Sequence, residues 1–183
     1  MPRLILPTTL VRAAYLRGET ETAREEGLPA TWLEEAAADF AGFVERRRAV
    51  RELWGVPVTE LWFVDGTDYL GTVVICHRLT PALERDGGHI GYHVVPGQRR
   101  RGHATQMLAQ AKPVCQRLGL TELLVTCAEG NLGSRRVIEA NGGTLDRIVD
   151  GQATTGCQPP GRTPERDADQ AACLCSAPSS PCW

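Results

Sequence analysis

Apolar residues recur at helical spacing in the first third of the chain, crowd into near-continuous runs in the middle, and alternate between the two habits afterwards. Arg3 to Leu6 reads as a short first strand. A helical region follows, with Leu10, Val11, Ala14 and Tyr15 on one face. Thr31 and Glu34 have the spacing of a capping box, and Leu33, Ala36, Ala37, Phe40 and Val44 continue behind them at helical intervals. The charged run Glu45-Arg46-Arg47-Arg48 is then the solvated face of that helix. Leu61 to Val64 and Tyr69 to Ile75 are predicted strands, joined by Asp65-Gly66-Thr67-Asp68 as a hairpin turn.

The second half alternates. His89 to Val95 is a predicted strand ended by Pro96-Gly97. Gly102 to Leu118 is amphipathic, with Ala104, Met107, Leu108, Ala111, Val114, Cys115 and Leu118 inward, and Pro113 is predicted to kink it or start a new turn. Leu123 to Cys127 forms a strand, Leu132 to Ala140 a short helix and Leu145 to Val149 a last strand. This order predicts an α/β or α+β sheet with helices packed on its faces. The helical connection from His89–Val95 to Leu123–Cys127 implies one parallel strand pair, and Pro96 to Gly102 sits at the carboxyl end of its first strand, where ligands bind in such units. After Asp150 no strand period is visible. Residues 151–183 are rich in Pro, Ser, Gly and Ala and are expected to be a disordered tail behind a domain of residues 1–150.

Composition changes this picture in three places. A chain of 183 residues holds one domain with a sizeable core. Its formal net charge of −2 provides no positive field for nucleic acid, so none is expected as a partner. No apolar stretch approaches the ~20 residues of a membrane span, and the start MPRLILPTTLVRAAYL has no convincing cleavage site, so a cytoplasmic protein without a membrane partner is expected. Lys112 is the only lysine, and arginine, alanine, glycine and proline abound, as in a GC-rich genome. Cys76, Cys115 and Cys127 read as reduced core thiols, and the odd total of seven cysteines argues against a disulfide framework. Cys173-x-Cys175 with Cys157 and Cys182 lacks the paired spacing of a zinc site, so no metal is expected.

The chemistry concentrates in Gln98-Arg99-Arg100-Arg101-Gly102-His103-Ala104. A helix N-terminus offers unpaired N–H groups and partial positive charge, and Gly102 lets the backbone approach an anion closely. Arginines beside it add charge-assisted contacts. That chemistry suits a pyrophosphate. Arg99-x-x-Gly102-x-Ala104, between a strand and an amphipathic helix, resembles the acyl-CoA loop of the GNAT superfamily of N-acetyltransferases. GGHIGYHVVPGQRRRGHATQML is similar to that family's fourth strand, pyrophosphate loop and third helix. LLVTCAEGNLGSRRVIEANGG is similar to its fifth strand, Asn-x-x-Ser turn and following helix.

The resemblance implies a GNAT-like, mostly antiparallel mixed sheet with a splayed parallel strand pair. It implies acetyl-CoA as acyl donor, with no metal, and a primary amine of a small molecule or peptide as acceptor by direct attack; it leaves a homodimer open. On it, the strand edge at His93, Val94 and Val95 pairs with the pantetheine arm. Arg99, Arg100, Arg101, Gly102, His103, Ala104 and Thr105 wrap the pyrophosphate, and Asn131 and Ser134 face the cofactor from the other side. Asn131 is also a good helix N-cap and Ser134 a first-turn residue, with the cofactor role favoured for Asn131. His93 and Glu129 are the candidates by position for the amine proton, although His93 is also an ordinary strand histidine and Glu129 a solvated loop acid. A backbone N–H near Val94 is the candidate for the oxyanion.

One departure stands out. Members of the family often protonate the leaving thiolate with a tyrosine on a seventh strand, and no tyrosine follows Asp150. A member without that strand would be a module that holds acyl-CoA with little or no turnover. Thr154-Thr155-Gly156-Cys157-Gln158 has codons that, read one base earlier, become NAC-NAC-NGG-NTG-YCA and can spell Asp-Tyr-Trp-Val-Pro. A reading-frame shift near Gly151 to Thr154 is therefore expected as the source of the tail.

Overall fold

In the computed structural model, residues 1–149 and 152–157 are described. The central sheet has the order β1 (Arg3–Ile5), β3 (Val56–Asp65), β4 (Asp68–Cys76), β5 (Ile90–Val94), with β2 (Arg51–Leu53) also paired to β3, and every ladder is antiparallel. Three further strands form a second sheet in the order β6 (Leu123–Ala128), β8 (Gln152–Cys157), β7 (Thr144–Val149). Mixed helices and a mostly antiparallel sheet are thus as expected, whereas β2, the first half of β3 and the helical turn α4 (Pro81–Arg85) extend the sequence reading.

The near-continuous apolar runs have a direct cause: the central sheet is covered on both faces. Leu61 and Phe63 of β3 join Val73 and Ile75 of β4 against Met107, Leu108 and Ala111 of α5 (His103–Arg117) and Ile138 of α6 (Leu132–Ala140). On the other face Trp62, Val64 and Tyr69 pack with Val11 of the preceding 3-10 turn, Tyr15 of α1 (Arg12–Glu26), and Phe40 and Phe43 of its neighbour α3 (Phe40–Arg48). The Tyr15 and Trp62 rings stack at 4.6 Å between centroids.

Several expectations are corrected. Leu10 is exposed, because it precedes α1 in a short 3-10 turn. Thr31 does not cap its helix: Ala30 occupies that place, and α2 (Thr31–Ala38) stops at Asp39, whose side chain caps α3 by accepting from the Gly42 N–H at 2.9 Å. Ala37 consequently turns outward. The arginine run of α3 is not wholly solvated, since Arg47 reaches the buried Glu60 at 2.8 Å and lies over the Phe43 ring. Helix α5 runs unbroken through Pro113. The carbonyl that proline leaves unpaired belongs to the exposed residue Ala109, which water can serve.

The stretch after Asp150 was expected to lack a strand, yet Gln152–Cys157 pairs with β6 on one side and β7 on the other. A ladder is made by backbone groups, and two open edges can recruit a short Thr-containing segment of weak apolar pattern. The rest of the expected tail, with Cys173, Cys175 and Cys182, lies outside the described residues. No helix among the described residues is long and apolar enough to cross a membrane.

Candidate functional site at the β5–β6 splay

The two sheets meet where β5 and β6 begin. Gly88 forms an isolated bridge to Val125, and the His89 N–H donates to the Leu124 carbonyl at 2.7 Å. A side chain on Gly88 would start 2.5 Å from the Leu124 carbonyl oxygen, so this approach requires glycine. Beyond that junction no ladder joins β5 to β6 among the described residues, and a gap opens between them.

Register decides which backbone groups face the gap. Cys76 N–H donates to the His89 carbonyl and Val95 N–H to the Leu70 carbonyl, so the His89 carbonyl and the backbone of residues 91, 93 and 95 turn toward β4. Ile90, Tyr92 and Val94 turn theirs toward β6. Of the expected edge His93, Val94 and Val95, only Val94 presents its N–H to the gap; Tyr92, not singled out from sequence, presents the next one. Side chains divide by the same alternation. Ile90, Tyr92 and Val94 pack with α5 and α6, whereas Val95 packs with α1 and α3, and His93 reaches α1.

The gap runs into the loop. Pro96–Gln98 forms a 3-10 turn, Arg100 adopts a left-handed φ of 61°, and Gly102 follows at φ 77° as N-cap of α5 with no side-chain cap. A Cβ on Gly102 would meet nothing within 4 Å, so the space above the helix end is open. The first backbone bond of α5 runs from Gln106 N–H to the Gly102 carbonyl, which leaves the preceding N–H groups pointing out of the helix end. Arg100 and Arg101 are exposed beside it. The His103 ring meets the edge of Phe63, and its Nδ1 is buried without a partner. Ala104 packs on the core, and the Thr105 carbonyl accepts from Asn141 Nδ2. Arg99 departs from the expected wrap: its Nε donates to the Val94 carbonyl at 3.0 Å and its guanidinium pairs with Glu25 at 2.8 Å and Glu26 at 3.5 Å on α1. It ties the loop to that helix rather than reaching over the helix end.

Across the gap, the Asn131 side chain caps α6 by accepting from Ser134 N–H at 3.0 Å, which is its structural role. Ser134 Oγ lies 2.7 Å from the Tyr92 hydroxyl, so one hydrogen bond spans from β5 to α6. Burial pushes the Tyr92 hydroxyl up to about 12, and it keeps its proton at neutral pH. Glu129 sits on the exposed turn after β6.

On the α1 side, His93 Nε2 lies 2.8 Å from Glu19 Oε1, and the Tyr69 hydroxyl donates to the same oxygen at 2.7 Å. Burial alone would raise the Glu19 carboxyl, but the hydrogen bonds from His93 and Tyr69 and the His93 charge hold it below its ordinary value. Burial alone would lower His93, yet Glu19 outweighs it and raises the imidazole. Glu19 escaped the sequence reading because α1 has no clean apolar face. The one available signal was an acid at i+4 from the inward Tyr15. Among the described residues no group of three His, Cys, Asp or Glu side chains is placed to hold a metal ion.

Comparison with known proteins fits this geometry. Residues 8–144 match the family model of the acetyltransferase (GNAT) domain. No curated protein matches the chain significantly. Among solved structures, Mycobacterium smegmatis RimJ in complex with CoA-disulfide is 19% identical with a TM-score of 0.59, covering 86% of this chain and 86% of its own. RimL, a ribosomal L7/L12 alpha-N-protein acetyltransferase in complex with coenzyme A, is 14% identical with a TM-score of 0.58, covering 86% and 93%. The microcin C7 self-immunity acetyltransferase MccE, in complex with acetyl-CoA and AMP, is 15% identical with a TM-score of 0.57, covering 86% and 92%. At such identities the likeness is one of fold. The family match is wider in meaning, for it spans the junction, the gap, the glycine loop and α6 together: the chain belongs to the GNAT family of acetyltransferases.

Proposed function

We propose that the protein transfers an acetyl group from acetyl-CoA to a primary amine of a small molecule or peptide by direct attack. The observation that carries this reading is the unladdered gap between β5 and β6 ending on the uncapped N-terminus of α5. An extended amide-containing arm fits a strand edge with free N–H and C=O groups, and a pyrophosphate fits a helix N-terminus opened by glycine. Gly102 and the N–H groups from Arg101 to Thr105 form the cradle, with Arg100 and Arg101 adding charge. The bound donor supplies a thioester carbonyl.

The chain's residues then divide the work. The Val94 N–H faces the gap and polarises the carbonyl oxygen. The Tyr92–Ser134 hydroxyl pair, on the cofactor side of the same strand, holds a proton for the leaving sulfur. It stands in for the tyrosine that the sequence lacks after Asp150. The attacking amine approaches from the α1 face. The reading of a non-catalytic acyl-CoA binder drew its support from a missing last strand and its tyrosine; Gln152–Cys157 occupies a place between β6 and β7, while no tyrosine follows Asp150.

The test is calorimetry with acetyl-CoA, followed by thiol release over a panel of small amines and peptide N-termini. Binding with amine-dependent thiol release is expected. Binding without release above background for any amine would sink the enzymatic reading.

A further inference from the structure

Glu19 is a carboxylate 5% exposed inside a helix face otherwise made of Tyr15, Gly18, Thr22 and Ala23. An isolated carboxylate there would be strongly disfavoured, and two donors satisfy it. One is the Tyr69 hydroxyl, itself 2.5 Å from Thr72 Oγ1, so that Thr72 donates to Tyr69 and Tyr69 donates to Glu19. The other is His93 Nε2. With Nε2–H directed at Glu19, the lone pair of a neutral His93 falls on Nδ1, for which no hydrogen-bond partner occurs among the described residues. The His93 side chain is 25% exposed, so Nδ1 is open to a ligand on the α1 face. His93 also immediately precedes Val94, whose N–H faces the gap.

We propose that Glu19, held by Tyr69, is a positioning residue that fixes the His93 imidazole to take the proton of the attacking amine at Nδ1. The inference rests on the acetyl-transfer reading above. A buried donor of any kind would satisfy Glu19 structurally. What distinguishes His93 is its place, one residue from the N–H assigned to the thioester oxygen and on the face opposite α5. The amine nitrogen bonds to the thioester carbonyl carbon and its proton passes to His93 Nδ1. The carbon–sulfur bond breaks with its electron pair on sulfur, and sulfur takes the proton held by Tyr92 and Ser134. Water then receives the His93 proton and restores the hydroxyl pair. Amine and acetyl thioester become amide and thiol.

The charged and titratable groups facing the imidazole are Glu19 and Glu26 from α1, Glu60 from β3 and, through Glu19, Tyr69 from β4 and Arg47 from α3. The acids raise His93, so the base form gains with rising pH and the acid limb of kcat/KM reports it. Replacing Glu19 by glutamine removes the largest raising influence and moves that limb to lower pH.

The experiment measures kcat and KM against pH, with acetyl-CoA affinity by calorimetry, for wild type, Glu19→Gln, His93→Gln and the double variant, using the best amine of the panel. Glu19→Gln is expected to keep acetyl-CoA affinity within about twofold, lower kcat by about a hundredfold and shift the acid limb downward. The double variant is expected to be no slower than the slower single one, because the two act as a unit. Should loss of the buried carboxylate unfold the chain, His93→Gln alone carries the test: kcat must fall by a similar factor with affinity retained. Wild-type kcat in either folded variant, an unmoved acid limb, or multiplicative losses in the double variant overturn the dyad. A wild type that acetylates no amine overturns the transfer reading itself.

Discussion

The chain contains the tripeptide Arg-Arg-Arg twice, and the two copies lead different lives. In α3, Arg46, Arg47 and Arg48 fan out at about 100° per residue. Arg46 pairs with the exposed Glu35, Arg47 reaches inward to the buried Glu60, and Arg48 donates to the Pro7 carbonyl at 2.9 Å. In the loop before α5, Arg99 turns back to Glu25 and Glu26, while Arg100 and Arg101 stand exposed beside an uncapped helix end. The run that looked solvated contributes a half-buried structural charge. The run that looked functional contributes one tether and two exposed charges around a glycine. Composition is the same in both, and what the backbone does with the directions decides the outcome.

The sharpest way to break the contrast is to delete the half-buried member, Arg47. Arg47 lies 2.8 Å from Glu60, whose carboxylate is 2% exposed and also accepts from Arg51 and from Trp62 Nε1 at 2.9 Å. Arg47→Ala leaves that carboxylate with fewer compensating charges and uncovers the Phe43 face. A loss of about 3 kcal/mol in urea unfolding is expected, while acetyl-CoA affinity of the folded fraction holds. Arg46→Ala, at an exposed pair, is expected to change stability by less than about 0.5 kcal/mol. Equal losses at the two positions would mean that Arg47 is no more buried in solution than its neighbour.

Next in size is the glycine of the loop. Gly102→Glu places a carboxylate at the helix end and a side chain at φ 77°, where only open space surrounds it. Backbone strain of about 1 kcal/mol is tolerable for the fold, so a melting curve near wild type is expected. Acetyl-CoA binding should fall by more than about a hundredfold, since anion meets anion at the site where N–H groups were offered. Normal binding by the folded variant would show that the phosphates lie elsewhere.

These two outcomes also measure what the sequence could tell. The glycine loop was legible because its signal is local: a strand, a tight turn and an amphipathic helix within a few residues of each other. The register-dependent facts were not. Whether Val94 or Val95 faces the gap depends on pairing with Leu70, and Glu19 meets His93 only after α1 folds onto the sheet. Asn131 illustrates the middle case: its N-cap geometry was readable, and that structural role is what the hydrogen bond to Ser134 N–H realises. Strand β8 was missed for a different reason. Its pairing comes from the open edges of β6 and β7 rather than from its own apolar period.

A smaller effect separates the α1 face from the rest of the molecule by pH. His93 is raised in the fold, so its contribution to stability is full below the ordinary histidine range and fades as pH climbs through the folded value. Glu19 is lowered, so its contribution holds above the ordinary carboxylate range and fades as pH falls through the folded value. His77 and His89 are lowered by burial, and their contribution runs the other way from that of His93, growing as pH rises through the ordinary histidine range. Melting temperature against pH is therefore expected to be flat or falling above neutrality in wild type. In Glu19→Gln that fall should largely vanish, leaving a rise confined to the ordinary histidine range and below, where the burial of His77 and His89 acts. Parallel profiles for the two proteins would deny that Glu19 and His93 are coupled.

The smallest predicted effect returns to the loop arginines. Arg100 is exposed and holds a left-handed φ of 61°, a conformation that its own side chain does nothing to favour. Its charge acts on a bound phosphate through solvent, where screening limits a single contact to about 1 kcal/mol. Arg100→Ala is thus expected to weaken acetyl-CoA binding by about threefold to fivefold and to flatten its dependence on salt. Arg100→Gly provides the control, since it removes the same charge while relaxing the backbone. If both variants lose the same affinity, charge is what Arg100 supplies. If glycine alone restores wild-type binding, the loop conformation governs affinity and the arginine is incidental to it.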